Sequence, residues 1–166
     1  MTSSLYPVKR LPESKWRACR DLRLEALQAE PLAFGSAFEA EVPLTEKEWR
    51  YRIQNALFAL DQQEPVGMVV LIGDSGPKAR HIANIYGLYV KASHRGNGIG
   101  YHLMAAALQE IRAWKRIRKV KLAVNVEQKA AITLYEQLGF VVVGKLKDEL
   151  YYQGKYYDEL IMERFW

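Results

Sequence analysis

Leu88-Tyr89-Val90-Lys91-Ala92-Ser93-His94-Arg95-Gly96-Asn97-Gly98-Ile99-Gly100 joins the end of an apolar run to the start of a helical pattern. Before it, His81 to Val90 is rich in Ile, Tyr and Val and reads as a strand. After it, Leu103, Ala107, Ile111 and Trp114 recur at helical spacing. Glycines at 96, 98 and 100 let the backbone approach a ligand and point successive N–H groups at it. A helix N-terminus adds partial positive charge, and Arg95 is expected to add a full one. The combination suits an anion such as pyrophosphate. A plain strand-to-helix turn is the competing reading of the loop alone. The spacing is not Gly-x-Gly-x-x-Gly, which disfavours a Rossmann dinucleotide site.

Working outward, Val120 to Val126 reads as the next strand, so His81 to Val126 fits a parallel strand–helix–strand unit. Gln128 to Leu138 is predicted helical, with Ala131, Leu134, Tyr135 and Leu138 on one face and Gly139 as its stop. Phe140 to Leu150 and Lys155 to Phe165 are expected to form a hairpin around Gln153-Gly154. Toward the N-terminus, Pro12-Glu13 to Gln28 is predicted helical and Pro31 to Pro43 a loop. Thr45-Glu46-Lys47-Glu48 is a capping-box pattern opening a short helix that carries Trp49 and Ile53. Ala56 to Leu60 and Val66 to Ile72 read as strands joined by the polar turn Asp61 to Glu64, and Gly73 to Pro77 as a loop.

The bulk numbers agree with one α/β domain over residues 1–166. Hydrophobic residues are 49% and charged residues 26% of the chain, the balance of a globular protein rather than a disordered one. Cys19 is the one cysteine, so no intrachain disulfide forms. Met1 to Arg10 has no apolar run of signal-peptide type, and no segment approaches the ~20 apolar residues of a membrane span. A cytoplasmic location without membrane partners is expected. The formal charge is +5, with a basic cluster at Lys115, Arg116, Arg118, Lys119 and Lys121. The cluster falls at a predicted helix end, where basic residues complement the helix dipole, so a nucleic-acid partner is not expected.

Arg95-Gly96-Asn97-Gly98-Ile99-Gly100 resembles the signature Arg/Gln-x-x-Gly-x-Gly/Ala of the GNAT N-acetyltransferase superfamily. Ala131-Ile132-Thr133-Leu134-Tyr135-Glu136-Gln137-Leu138-Gly139-Phe140 is similar to that family's Ala-x-x-Leu-Tyr-x-x-x-Gly-Phe segment, and lies at the expected distance. The resemblance implies a mixed, mainly antiparallel sheet flanked by helices, with a splayed central parallel pair containing Leu88 and Leu122. It implies acetyl-CoA as co-substrate and an amine acceptor. Backbone groups of Leu88, Tyr89 and Val90 would pair with the pantetheine arm. The N–H groups of Arg95, Gly96, Asn97, Gly98, Ile99 and Gly100 would hold the pyrophosphate. Tyr135 would protonate the leaving thiolate, since a thioester attacked by an amine needs a proton for its leaving group. Core packing is the competing role for that tyrosine.

Two positions depart from the family pattern. Asn84 stands where many relatives carry a glutamate base, and Gln128 replaces a frequent asparagine. Gln128 keeps an amide, and Asn125 offers a second one to the cofactor. Glu39, Glu41 and Asp158 are alternative bases, with solvent as the remaining option. Glu39, Asn84, Tyr86 and Tyr157 are the expected acceptor-side residues. The carboxylates of Phe38 to Glu41 and of Tyr157-Asp158-Glu159 would suit a cationic acceptor, and surface charge explains them equally well. The acceptor is expected to be a small polyamine-like or amino-acid-like molecule, or a protein N-terminus or lysine; a homodimer is compatible with the sequence. His81, His94 and His102 lack metal-ligand spacing, and no metal is expected. Cys19 reads as an ordinary thiol rather than a nucleophile. The rival from another class is a non-catalytic acyl-CoA-binding module.

Overall fold

In the computed structural model, which describes residues 5–166, N-terminal helices are followed by three strands, a helix, a strand, a helix and a closing hairpin, the order the periodicities predict. The first four residues of the Met1 to Arg10 stretch lie outside the described residues. The strands are β1 (Val8–Lys9), β2 (Ala56–Asp61), β3 (Glu64–Gly73), β4 (Ile82–Val90), β5 (Lys119–Asn125), β6 (Val141–Tyr152) and β7 (Lys155–Phe165). They form one sheet in the order β1-β2-β3-β4-β5-β7-β6. Every neighbouring pair is antiparallel except β4 and β5, which are parallel. The helices are α1 (Trp16–Ala29), α2 (Phe38–Glu41), α3 (Glu46–Ile53), α4 (Ile99–Ala113) and α5 (Lys129–Gln137). The α4 crossover between β4 and β5 is the connection that a parallel pair requires.

The period-2 alternation of the strands gives the sheet two apolar faces. On one, Val69, Leu71, Ile85, Val120, Leu122 and Met162 bury against Leu103, Ala107 and Ile111 of α4 and Tyr135 of α5. On the other, Phe58, Leu60, Met68 and Tyr89 bury against Cys19, Leu22 and Ala26 of α1 and Ile53 of α3. The capping box forms as read: the Thr45 hydroxyl accepts from Glu48 N–H, and Glu48 accepts from Thr45 N–H at 2.7 Å. Gly139 ends α5 at φ +85°, a left-handed conformation that favours glycine. The Pro31 to Pro43 stretch is more ordered than a loop, holding a 3₁₀ turn at Pro31–Ala33 and the short α2. β1, absent from the sequence reading, is a two-residue edge strand paired with β2.

β4 carries an irregularity that matters for the site. Met68 pairs with Tyr89 and Val70 with Tyr86, so Val69 alone faces Gly87 and Leu88. Gly87 sits at φ +61°, the backbone of a bulge that bends and twists its strand. A Cβ there would also come within 3.3 Å of Arg23 Nη1. Pairing between β4 and β5 covers only Ile82 to Asn84 with Lys119 to Lys121. Beyond Asn84 the two strands part, and a gap opens toward their C-terminal ends. The central parallel pair is splayed, as expected for the strands of Leu88 and Leu122.

Candidate active site

At the mouth of the gap, β4 passes through a 3₁₀ turn (Ala92–His94) into the glycine loop and α4. Gly96 and Gly98 hold φ values of +81° and +72°, and Gly98 is the N-cap of α4 without a side-chain capping bond. The first N–H groups of a 15-residue helix are thus left without a side-chain cap on this glycine loop. Asn97 Nδ2 braces the loop by donating to the His94 carbonyl at 3.0 Å. His94 is engaged too, with Nε2 3.1 Å from Asp61 Oδ2. The full charge expected of Arg95 is placed elsewhere. Its Nε donates to the Val90 carbonyl at 3.0 Å and its Nη1 to Glu30 at 2.8 Å, which partly neutralises the guanidinium. An anion at this loop would therefore be held by backbone N–H groups and the α4 dipole rather than by the Arg95 charge.

The loop gives a direct prediction. A Cβ at Gly98 would meet only the His102 ring, at 3.8 Å, so the fold has room for a side chain that accepts a positive φ. Gly98→Asn should therefore fold normally and weaken acetyl-CoA binding about tenfold by covering the bare N–H groups. Gly98→Val adds backbone strain at φ +72° and should lose stability as well. Calorimetry with acetyl-CoA on the asparagine variant decides the matter; an unchanged Kd reduces the loop to a turn.

Two polar groups at or packed near β5 lack hydrogen-bond partners among the described residues. Asn125, the last residue of β5, is 2% exposed, and its Nδ2 makes no hydrogen bond. Its orientation is fixed because its Oδ1 accepts from Glu127 N–H at 2.9 Å. A buried donor left unmade costs about 1–3 kcal/mol, so a ligand oxygen has reason to sit there. Tyr135 packs in the core with Leu122 and Val124, its ring 6.0 Å from Phe140. Burial pushes its phenol up to about 12, and no described residue hydrogen-bonds the hydroxyl. Gln128 is the N-cap of α5 without a side-chain capping bond.

The carboxylates named from sequence separate in the structure. Glu41 is 3% exposed and held by Arg23 at 2.8 Å and Arg52 at 3.0 Å. Burial alone would raise its carboxyl, but the bonds and charges of Arg23, Ser36 and Arg52 outweigh this and pull it down to about 2. A carboxylate so held is a structural anion and not a base. Asp158 is likewise occupied, accepting from Asp148 N–H at 2.9 Å and pairing with Lys145 at 2.9 Å; both lower its carboxyl. Glu39 is exposed on α2. Asn84 and Tyr86 lie on β4 opposite Ile72 and Val70, on the side of the sheet that α1 packs against, with Tyr86 exposed. Tyr157 lies on β7 opposite Leu150. Of the basic cluster, Lys119 is bound to Glu163 at 2.7 Å. Among the described residues no group of His, Cys, Asp and Glu is arranged to hold a metal. No helix among them is long and apolar enough to cross a membrane.

A helix N-terminus on a glycine loop, a parallel pair that parts beyond three residues and a buried unpartnered amide at the end of β5 make up the candidate site. The model of the Acetyltransferase (GNAT) family matches residues 16–140, and the chain belongs to that family. It is an N-acetyltransferase with acetyl-CoA as its co-substrate. The chain is 23% identical to the L-amino acid N-acetyltransferase AaaT of Escherichia coli, over 85% of this chain and 89% of that one. Its fold matches an acetyltransferase of the GNAT family from Streptococcus pneumoniae at a TM-score of 0.83, with 22% identity over 97% of this chain and 99% of that one. It also matches a phosphinothricin acetyltransferase from Sinorhizobium meliloti in complex with acetyl-CoA, at a TM-score of 0.82 and 19% identity, over 97% and 88% of the two chains.

The bulge at Gly87, absent from the sequence reading, was signalled by a glycine inside a strand pattern. Glu159 was read only as part of the acidic stretch Tyr157-Asp158-Glu159, and strand alternation places it and Asp158 on opposite faces.

Proposed function

We propose that this enzyme passes the acetyl group of acetyl-CoA directly to a primary amine within a ternary complex. The observation that carries this reading is the gap between β4 and β5, bordered by the unpartnered Asn125 amide and the unpartnered Tyr135 hydroxyl. The β4 edge beyond Asn84, which β5 leaves unpaired, would take the pantetheine arm as a strand, with Leu88, Tyr89 and Val90 as backbone partners, the Val90 carbonyl being shared with Arg95 Nε. The N–H groups from Arg95 to Gly100 would hold the pyrophosphate. Asn125 Nδ2 would donate to a carbonyl of the bound thioester, with Gln128 beside it, and Tyr135 would donate to the sulfur. Direct transfer is favoured because the chain's one thiol is remote from this chemistry. Cys19 is buried within α1 on the far side of the β2–β3 core, and burial, only partly offset by Arg52, pushes its thiol up to about 12.

The acceptor would enter from the face that carries Asn84, Tyr86 and Tyr157. An L-amino acid N-acetyltransferase among the relatives supports a small amine, while a protein amine fits the same chemistry. The test is thiol release from acetyl-CoA with a panel of n-butylamine, L-leucine, spermidine and a lysine-containing peptide. Turnover with no amine would overturn the reading. Since Asp158 is occupied and Glu39 is exposed on α2, Glu39→Gln and Asp158→Asn should each leave the pH–rate profile of the parent intact. Loss of an ionisation in either variant would mark that residue as the base.

A further inference from the structure

Asn84 has no group that takes a proton, and Glu41 and Asp158 are already engaged. One further carboxylate faces the gap. Glu159 on β7 is the cross-strand partner of Asn125 on β5 and of Leu146 on β6. Cross-strand partners share a face, with Cα atoms about 4.5–5.5 Å apart. The same rule places Glu159 with Asn84: Asn84 pairs with Lys121, and Lys121 and Asn125 lie four residues apart on one side of β5. Between them Ala123 leaves an exposed methyl as an open floor. The turn at Pro31–Ala33 approaches β5. Glu159 is half-buried, yet has no hydrogen bond or ion pair with any described residue. Beside it is the buried Asn125 amide that awaits an oxygen.

We infer that Glu159 receives the ammonium of the acceptor on this face and takes its proton. This rests on the amine-acceptor reading above. Tyr135 reaches the gap from the α4–α5 core, and Glu159 lies on the opposite face. A thioester lying in the gap, its oxygen on Asn125, then has its leaving sulfur served from one side and its attacking amine from the other. The protons balance. R–NH3+ gives one proton to Glu159 and becomes R–NH2, whose lone pair forms the bond to the acetyl carbon. The C–S bond breaks, the nitrogen's second proton ends on sulfur by way of Tyr135, and Glu159 returns its proton to solvent.

The surroundings of Glu159 fit an incoming cation. Burial raises its carboxyl, and the charge of Glu149, in the irregular stretch of β6, raises it further. Lys121 is the cation on this side of β5, and Glu163 beyond it is neutralised by Lys119. Tyr157 precedes Glu159 by two positions on β7, and Glu39 stands on α2. An ammonium between Glu149 and Glu159 relieves the repulsion of two carboxylates that share no cation.

Glu159→Gln tests this with n-butylamine, L-leucine and spermidine as acceptors. At pH 7, kcat/KM should fall about 100-fold while acetyl-CoA affinity and the melting temperature hold. The rate should climb again as pH approaches the acceptor's own pKa, and the acid-limb ionisation of the parent should vanish. Glu159→Asp should restore that ionisation at a reduced rate, which a purely structural role would not produce. A parent that turns over while Glu159→Gln matches it at every pH overturns the role of Glu159 alone. A parent that acetylates no amine overturns the amine reading and this inference with it.

Discussion

Glu41→Gln should lower the stability of the fold by about 3 kcal/mol, a melting-temperature drop of about 10 °C for a chain of this size. Glu41 is 3% exposed and bridges Arg23 and Arg52. Removing its charge leaves Arg23, itself 13% exposed, without an anion. The carboxyl moves from an ordinary 4.5 to about 2 in the fold, and each unit is about 1.4 kcal/mol, which gives the same magnitude independently. The sign follows from the direction. A lowered folded value means that the stabilisation is complete above pH 4.5 and is lost as pH falls toward 2. The glutamine variant should therefore lose this part of the acid sensitivity as well as the stability. Thermal melts of both proteins from pH 7 to pH 2.5 measure it. A drop below 1 kcal/mol would show that water solvates Arg23 as well as Glu41 does. The triad also matters to the site, because Arg23 lies against the bulge at Gly87 that turns β4 away from β5.

That coupling was not legible in the sequence, and the reason is distance along the chain. Glu41, Arg23 and Arg52 are surface-type residues on three separate helices, and no periodicity announces that packing will bury them together. Local chemistry was legible. The capping box at Thr45, the stop at Gly139 and the strand–glycine–helix passage from Leu88 to Gly100 each depend on residues a few positions apart. The parallel pairing of β4 and β5 followed from the crossover helix between them. The short elements escaped: β1 has two residues and α2 four, too few for any period to register.

The candidate site divides the same way. Gly96 and Gly98 show in their own backbone the left-handed angles that glycine allows, so the motif located the turn between β4 and α4. For Arg95 the charge was visible and its destination was not, because Glu30 approaches from the end of α1. Of the carboxylates named from sequence as bases, Glu41 and Asp158 are engaged by cations after folding and Glu39 is not, a difference that depends on residues distant in the chain. The place of Glu159 beside Asn125 likewise depends on strand pairing, which the sequence alone does not display.

Tyr135→Phe should lower kcat about 100-fold or more and leave both acetyl-CoA affinity and the melting temperature nearly unchanged. The phenylalanine ring keeps the contact with Phe140 and the packing on Leu122 and Val124. The hydroxyl has no partner in the fold, so its removal breaks no hydrogen bond that stabilises the protein. What it removes is a proton donor at the gap. With its phenol near 12, Tyr135 is fully protonated at neutral pH and weaker as an acid than a free thiol of about 8.5. It therefore does not surrender a proton to a finished thiolate. In the proposed reaction it donates as the C–S bond stretches, while the second proton of the attacking nitrogen refills the phenol, so that the tyrosine is neutral after each turnover. Such a relay matters only in the transition state, which is why kcat falls while binding holds. A tyrosine that merely packs predicts the opposite pattern: unchanged kcat, and a melting temperature equal to or slightly above that of the parent. Steady-state kinetics and a melting curve on one preparation separate the two, and a fully active phenylalanine variant would mean that the thiolate leaves without help from Tyr135.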